Sequence, residues 1–172
     1  SAQAGRYREF YQCDIDVVGR EKLSLTADAE MPAIISALFR KLNIGSFTIK
    51  MSNRKILQGL LVSFGIEDAE KRTVVVRLID KVDKVGLDKV LEDLRTLEEL
   101  SLSEEAVNSI KSFLEINGDA RQVLAGLQEL GIKNEEYKTG VAEMTEVVTN
   151  LEAMDVPKED YVVDTSIARG LD

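Results

Sequence analysis

The chain has 172 residues, 44% hydrophobic and 31% charged, which suits one packed domain or one domain with an insertion and excludes wholesale disorder. It holds no histidine and a single cysteine, Cys13, which excludes Ser-His and Cys-His nucleophiles, histidine-ligated metals, disulfide frameworks and Cys-rich zinc sites built from this chain alone. The net charge of −9 is uneven: residues 1–85 carry 14 Lys and Arg against 11 Asp and Glu, and residues 86–172 carry 8 against 20, so any phosphate handling is expected in the first half.

From Arg6 to Val18 the sequence alternates with a period of two, which predicts a long strand with one apolar face. Tyr7, Tyr11, Cys13, Ile15 and Val17 share the apolar parity, and Cys13 reads as a small core residue. Gly19 to Leu25 reads as a turn. Asp28 and Glu30 place acidic residues at a helix start, and Met31, Ile34, Ile35, Leu38 and Leu42 continue at helical spacing, with Pro32 expected in the first turn. Phe47 to Met51 alternates as a second strand, and Ser52 or Asn53 can cap a helix running through Ile56, Leu57, Leu60 and Leu61.

Beyond Ile66 strand character fades. Amphipathic segments are predicted over residues 74–85, 87–97, from about Ser101 or Ser103 to 116, over 120–130, and from about 135 to 154. Ser101-x-x-Glu104 matches a capping box, while Gly118 and Gly131 read as helix punctuation. Pro157 closes the helical region, and Tyr161 to Ala168 reads as a returning strand. That return favours an α/β body with a helical insertion over two tandem domains. No apolar run reaches the roughly 20 residues of a membrane helix, and no signal segment opens the chain, so a soluble, reducing, cytoplasmic setting is expected.

The even face of the first strand is the strongest candidate for the chemistry. Arg8 offers a guanidinium to a phosphate, Phe10 a ring on which a base can stack, and Gln12 and Asp16 stand about 13 Å apart, at ~3.3 Å per residue, to address two ends of a small ligand. The bland alternative is an exposed strand face with charge pairs between neighbours. Residues 80–84 (DKVDK) read as a solvated helix face, and the sequence has neither a P-loop nor a G-x-G-x-x-G.

The run Gln3-Ala-Gly-Arg6-Tyr-Arg8-Glu-Phe10-Tyr-Gln12, followed four residues later by Asp16, resembles the second half of class II motif 2 in histidyl-tRNA synthetases. Asn53-Arg54-Lys55 with Leu57 is similar to a further segment of that family, and Arg169-Gly170-Leu171-Asp172 to the opening of its R-G-L-D-Y-Y signature. The three matches occur in the family's order across nearly the whole chain. The resemblance implies part of a class II antiparallel-sheet catalytic domain, of α/β (α+β) type, in residues 1–66, a helical insertion domain in 67–156 and a return strand in 157–172. It implies ATP binding by Arg6, Arg8 and Phe10, histidine binding by Gln12 and Asp16, and a catalytic Arg169 beside the α-phosphate. It further implies Mg²⁺ arriving with ATP, no dedicated metal ligands in the chain, tRNA(His) as the acceptor, and a homodimer in the full enzyme.

Several of the family's parts do not occur in the chain: the F-R-x-E half of motif 2, motif 1, motif 3, the Tyr-Tyr after Asp172 and the anticodon-binding domain. The expectation is a central fragment that does not aminoacylate alone. Two other readings are the synthetase-like regulatory subunit of ATP phosphoribosyltransferase, and a helical interaction module with no ligand, which leaves the ordered matches unexplained.

Overall fold

A computed structural model describes residues 9–97 and 100–167. Among them are eight α-helices, one 3-10 turn and two short strands.

Residues 9–24 form neither helix nor strand and are exposed throughout, so the long first strand is corrected to an unpaired segment. Alternation sets which way side chains point, but a strand exists only when a neighbour completes its hydrogen-bond ladder. No described strand lies against residues 9–18. Cys13 is consequently exposed rather than buried.

Helix α1 (Leu25–Leu42) begins three residues before the acidic pair that signals it, because Ser24 is extended and its hydroxyl accepts the amide of Thr26. That early start leaves Pro32 inside the helix instead of in its first turn. The ring is buried together with Ala29 and Ser36, and this packing offsets the lost hydrogen bond. Asn43 ends the helix in the left-handed region. Strand β1 (Ile49–Met51) follows, and Asn53 caps α2 (Arg54–Ser63) as expected.

The predicted single helix over 74–85 is two, α3 (Ala69–Ile79) and α4 (Val82–Val85), broken at Asp80. Helix α5 (Leu87–Thr96) precedes α6 (Glu104–Glu115), whose cap is Ser103. Ser101 sits at φ 47°, a left-handed conformation, whereas an N-cap needs an extended backbone. Asp119 and Gln122 close a capping box on α7 (Ala120–Glu129), and Gly131 follows at φ 64°. Helix α8 (Glu135–Ala153) is capped by Asn134.

After a 3-10 turn (Lys158–Asp160), β2 (Tyr161–Val163) lies beside β1 in register Ile49 to Tyr161, Lys50 to Val162 and Met51 to Val163. This one described pairing is parallel, not antiparallel. A parallel partner needs a long crossover between strands, and helices α2 to α8 supply it. The fold is thus mixed α/β, mostly helical, with a small sheet.

One continuous core joins the faces of these elements. It runs from Ala29 of α1 through Leu60 and Leu61 of α2, Val90 and Leu94 of α5, Ile110 and Phe113 of α6 and Leu127 of α7 to Val148 and Leu151 of α8 and Tyr161 of β2. Within it the Tyr137 hydroxyl donates to the Leu127 carbonyl at 2.7 Å, and burial pushes the phenol far above its usual range. Tyr137→Phe leaves that carbonyl unpaired. The expected cost is about 1 kcal/mol, read as a lower urea midpoint at unchanged slope.

Candidate functional site: the carboxyl ends of the strand pair

Of the expected ligand-binding residues, Phe10, Gln12 and Asp16 lie in the exposed 9–24 segment. The Gln12 amide donates to Asp14 at 2.7 Å, and among the described residues no hydrogen bond or ion pair joins Phe10, Gln12 or Asp16 to a more distant element. Arg6, Arg8 and Arg169 lie outside the described residues.

The polar chemistry that the structure does assemble gathers where β1 and β2 end side by side. Asn53 has two tasks there. Its side-chain oxygen accepts the Lys55 amide at 2.9 Å to cap α2, and its amide nitrogen donates to Glu143 of α8 at 2.9 Å. The Lys55 ammonium bonds the other oxygen of Glu143. Lys55, then Asn53, hold the Glu143 carboxyl below the usual carboxylate range. The Asn53-Arg54-Lys55 segment therefore clamps α8 to the junction of β1 and α2.

Across the pair, the Lys50 ammonium lies 2.8 Å from Asp164, whose other carboxylate oxygen accepts both the amide (2.9 Å) and the hydroxyl (2.6 Å) of Ser166. Burial pushes the Asp164 carboxyl up, but Lys50 and Ser166 together outweigh it and the group ends below its ordinary value. Ser52 donates to the Ile167 carbonyl at 3.0 Å. Two clefts open at this end. One, of about 560 Å³, is lined by Asp28, Met31, Ser52, Arg54 and Glu143 among others; the second, of about 380 Å³, by Lys50, Asp83, Lys84 and Ser166.

The sequence reading overlooked Lys50, Asp164 and Glu143. Asp164-Thr-Ser166 is a turn-forming pattern and could have been found. Glu143 could not, since its partners are fixed only by how α8 crosses α2. Among the described residues no cluster of acidic or cysteine side chains could hold a metal ion, and no helix is long and apolar enough to cross a membrane.

A parallel strand pair bridged by a helical crossover, with polar side chains gathered at its carboxyl ends, defines an α/β protein, and comparison with known proteins narrows the class. The chain superposes on the crystal structure of histidyl-tRNA synthetase from Nostoc sp. PCC 7120 with a TM-score of 0.79, at 38% identity over 89% of this chain and 35% of that one. A Bacillus halodurans protein described as an ATP phosphoribosyltransferase regulatory subunit/histidyl-tRNA synthetase matches in fold, with a TM-score of 0.69 at 21% identity, over 85% of this chain and 36% of that one. Histidine–tRNA ligase from Clostridium tetani is 43% identical over 99% of this chain and 37% of its own length. That from Stenotrophomonas maltophilia is likewise 43% identical, over 99% of this chain and 38% of its own. The family model of histidyl-tRNA synthetase matches residues 1–172, and the chain belongs to that family. It spans under two fifths of the length of these relatives.

Proposed function

We propose that this chain is the central part of a histidine–tRNA ligase, which activates histidine with ATP and transfers it to tRNA(His). In this reading the histidine carboxylate attacks the α-phosphorus of ATP and pyrophosphate departs; a ribose hydroxyl at the tRNA end then attacks the adenylate carbonyl, takes the histidyl group and releases AMP. Gln12 holds the amino end of histidine and Asp16 its imidazole. Arg6 and Arg8 take phosphate, Phe10 stacks on adenine, and Arg169 neutralises charge at the α-phosphate. Mg²⁺ arrives with ATP. Such catalysis is positioning and charge neutralisation, so a chain without histidine can perform it.

Residues 1–66 and 157–172 belong to the catalytic domain and 67–156 to a helical insertion. The complete enzyme is a cytoplasmic homodimer. The observation that carries the reading is 43% identity across 99% of the chain to a histidine–tRNA ligase. The regulatory-subunit alternative draws only on likeness of fold.

Histidine-dependent ATP–pyrophosphate exchange tests it. The longer polypeptide carrying this chain should catalyse exchange, and residues 1–172 alone should not. Asp16→Ala should lower kcat/KM for histidine on the order of 100-fold, the loss of a hydrogen bond to a charged group. Exchange that is independent of histidine, or indifferent to Asp16, refutes the assignment.

A further inference from the structure

The two strands stop together, yet the chain leaving β2 stays fastened for four more residues. The Asp164 amide donates to the Met51 carbonyl at 2.9 Å, the bond that closes the last ladder pair. Its carboxylate holds Ser166 twice and Lys50 once, and Ser52 reaches across from the end of β1 to the Ile167 carbonyl. Only 16% of the Asp164 side chain is exposed, against 49% for Lys50.

A turn of this kind does not need a charge. Asparagine or serine would accept the Ser166 amide equally well, at far smaller cost of burial. What the carboxylate adds is Lys50, which stands in the middle of β1 and also lies 3.8 Å from Asp83 of α4. One partly buried charge therefore fastens three things together: its own turn, the neighbouring strand and, through Lys50, a helix of the crossover. Residue 169 follows two positions after the last fastened residue, Ile167.

We propose that Asp164 is a positioning residue for Arg169, locking residues 164–167 onto the end of β1 through Lys50 and Ser166 and so fixing the point from which the Arg-Gly-Leu-Asp segment departs. This rests on the assignment of Arg169 to adenylate formation made above. A guanidinium that must meet a phosphate geometrically loses rate when its base is loose, and misplacement by about 1 Å can cost on the order of 100-fold.

The test is steady-state histidine-dependent pyrophosphate exchange by the longer polypeptide carrying this chain. Asp164→Ala should lower kcat by on the order of 100-fold with KM for histidine held within about threefold, because the substrate contacts are elsewhere. Asp164→Asn keeps the Ser166 bonds and loses the attraction to Lys50, so kcat should fall by about tenfold. Lys50→Met should match it, and the double variant should be no worse than either single, as expected for one shared interaction.

Tyr137→Phe, which weakens the core without removing any contact of Asp164, Lys50 or Ser166, is the control for stability and should leave kcat unchanged. The positioning role is overturned if Asp164→Ala retains kcat within threefold, if the Asp164→Asn and Lys50→Met losses simply multiply, or if Tyr137→Phe loses as much. Arg169→Ala separates the two levels. Full exchange in Arg169→Ala removes the assignment of that arginine and the positioning role with it. An inactive Arg169→Ala beside an active Asp164→Ala removes only the positioning role.

Discussion

Gly59→Ala should lower the thermal midpoint by roughly 5–10 °C, corresponding to about 2–3 kcal/mol in a chain of this size. In an exposed helix the same change would stabilise by about 0.5–1 kcal/mol, since glycine costs backbone entropy that alanine does not. The sign reverses here because α2 and α8 cross with their backbones nearly touching. A Cβ on Gly59 would lie 2.3 Å from the Tyr137 amide nitrogen and 2.7 Å from the Asn134 side-chain oxygen that caps α8. On the opposing helix, a Cβ on Gly140 would lie 2.8 Å from the Ile56 amide nitrogen.

The Tyr137 and Ile56 amide nitrogens are backbone and cannot swing aside. The helices must separate, opening the core around Ile56, Leu60, Val141 and Met144. Circular dichroism melting of Gly59→Ala and Gly140→Ala checks this. A midpoint at or above that of the parent chain would mean that the crossing is looser than described.

Arg40→Met is the second substitution expected to be costly, and its cost should depend on pH. Asp160 is 3% exposed and accepts three hydrogen bonds: from Ser36 at 2.5 Å, and from the Arg40 guanidinium at 2.6 Å to each of its oxygens. The Nη2 that donates to Asp160 also pairs with Glu159 at 2.8 Å. Removing the cation leaves a carboxylate with only a hydroxyl for company. Breaking a fully buried pair in this way is strongly destabilising; Arg40 is half-exposed, so solvent screening leaves only part of that loss.

Arg40, against the opposing effect of burial, holds the Asp160 carboxyl below its ordinary value. A carboxylate whose folded pKa lies below its unfolded one contributes stability that is complete above the unfolded value, about 4, and is lost as pH falls through the folded one. In Arg40→Met that depression disappears and protonation relieves the buried charge. The stability gap between parent and variant should therefore be widest near pH 7 and should narrow on acidification below about pH 4, followed by urea titration at each pH. A gap constant with pH would place its origin in lost packing of the arginine stem. Asp160→Asn introduced beside Arg40→Met should recover part of the loss at neutral pH.

The helical crossover was legible because its signals are local. Asn53, and Ser103 two residues after Ser101, announce where α2 and α6 begin, and apolar spacing carries both helices close to their ends. The misjudged places are those where the outcome depends on something distant. Alternation over residues 6–18 fixes side-chain direction, but it carries no information on whether a neighbouring strand is there to complete the ladder. The acidic pair Asp28 and Glu30 points to a helix start at Pro32, whereas the Ser24 cap sets that start earlier.

The same holds for the polar contacts. Arg40 meets Asp160, and Lys55 meets Glu143, across most of the chain, and no periodicity links them. Gly59 and Gly140 look unremarkable in sequence, since what they do is visible only when two helices cross. Phe10, Gln12 and Asp16 carry the family's motif, yet the described structure supplies no partner element that would turn the motif into a pocket.

The parallel register has a bearing on how this family's chains vary in length. The excursion through the helices departs after Met51 and returns at Tyr161, one strand across and two residues back along the ladder, so both ends are held about 8 Å apart whatever happens between them. In an excursion on the order of a hundred residues long, one or two more in a surface loop change the closure entropy by a negligible fraction of the roughly 0.6 kcal/mol that a full doubling would cost. The alignments with relatives extend over 170 to 176 residues. Growth and shrinkage of the helical region can be absorbed in its turns without shifting the strand ends by a single register step, so this part of the protein is free to diversify while the neighbouring chemistry stays in place.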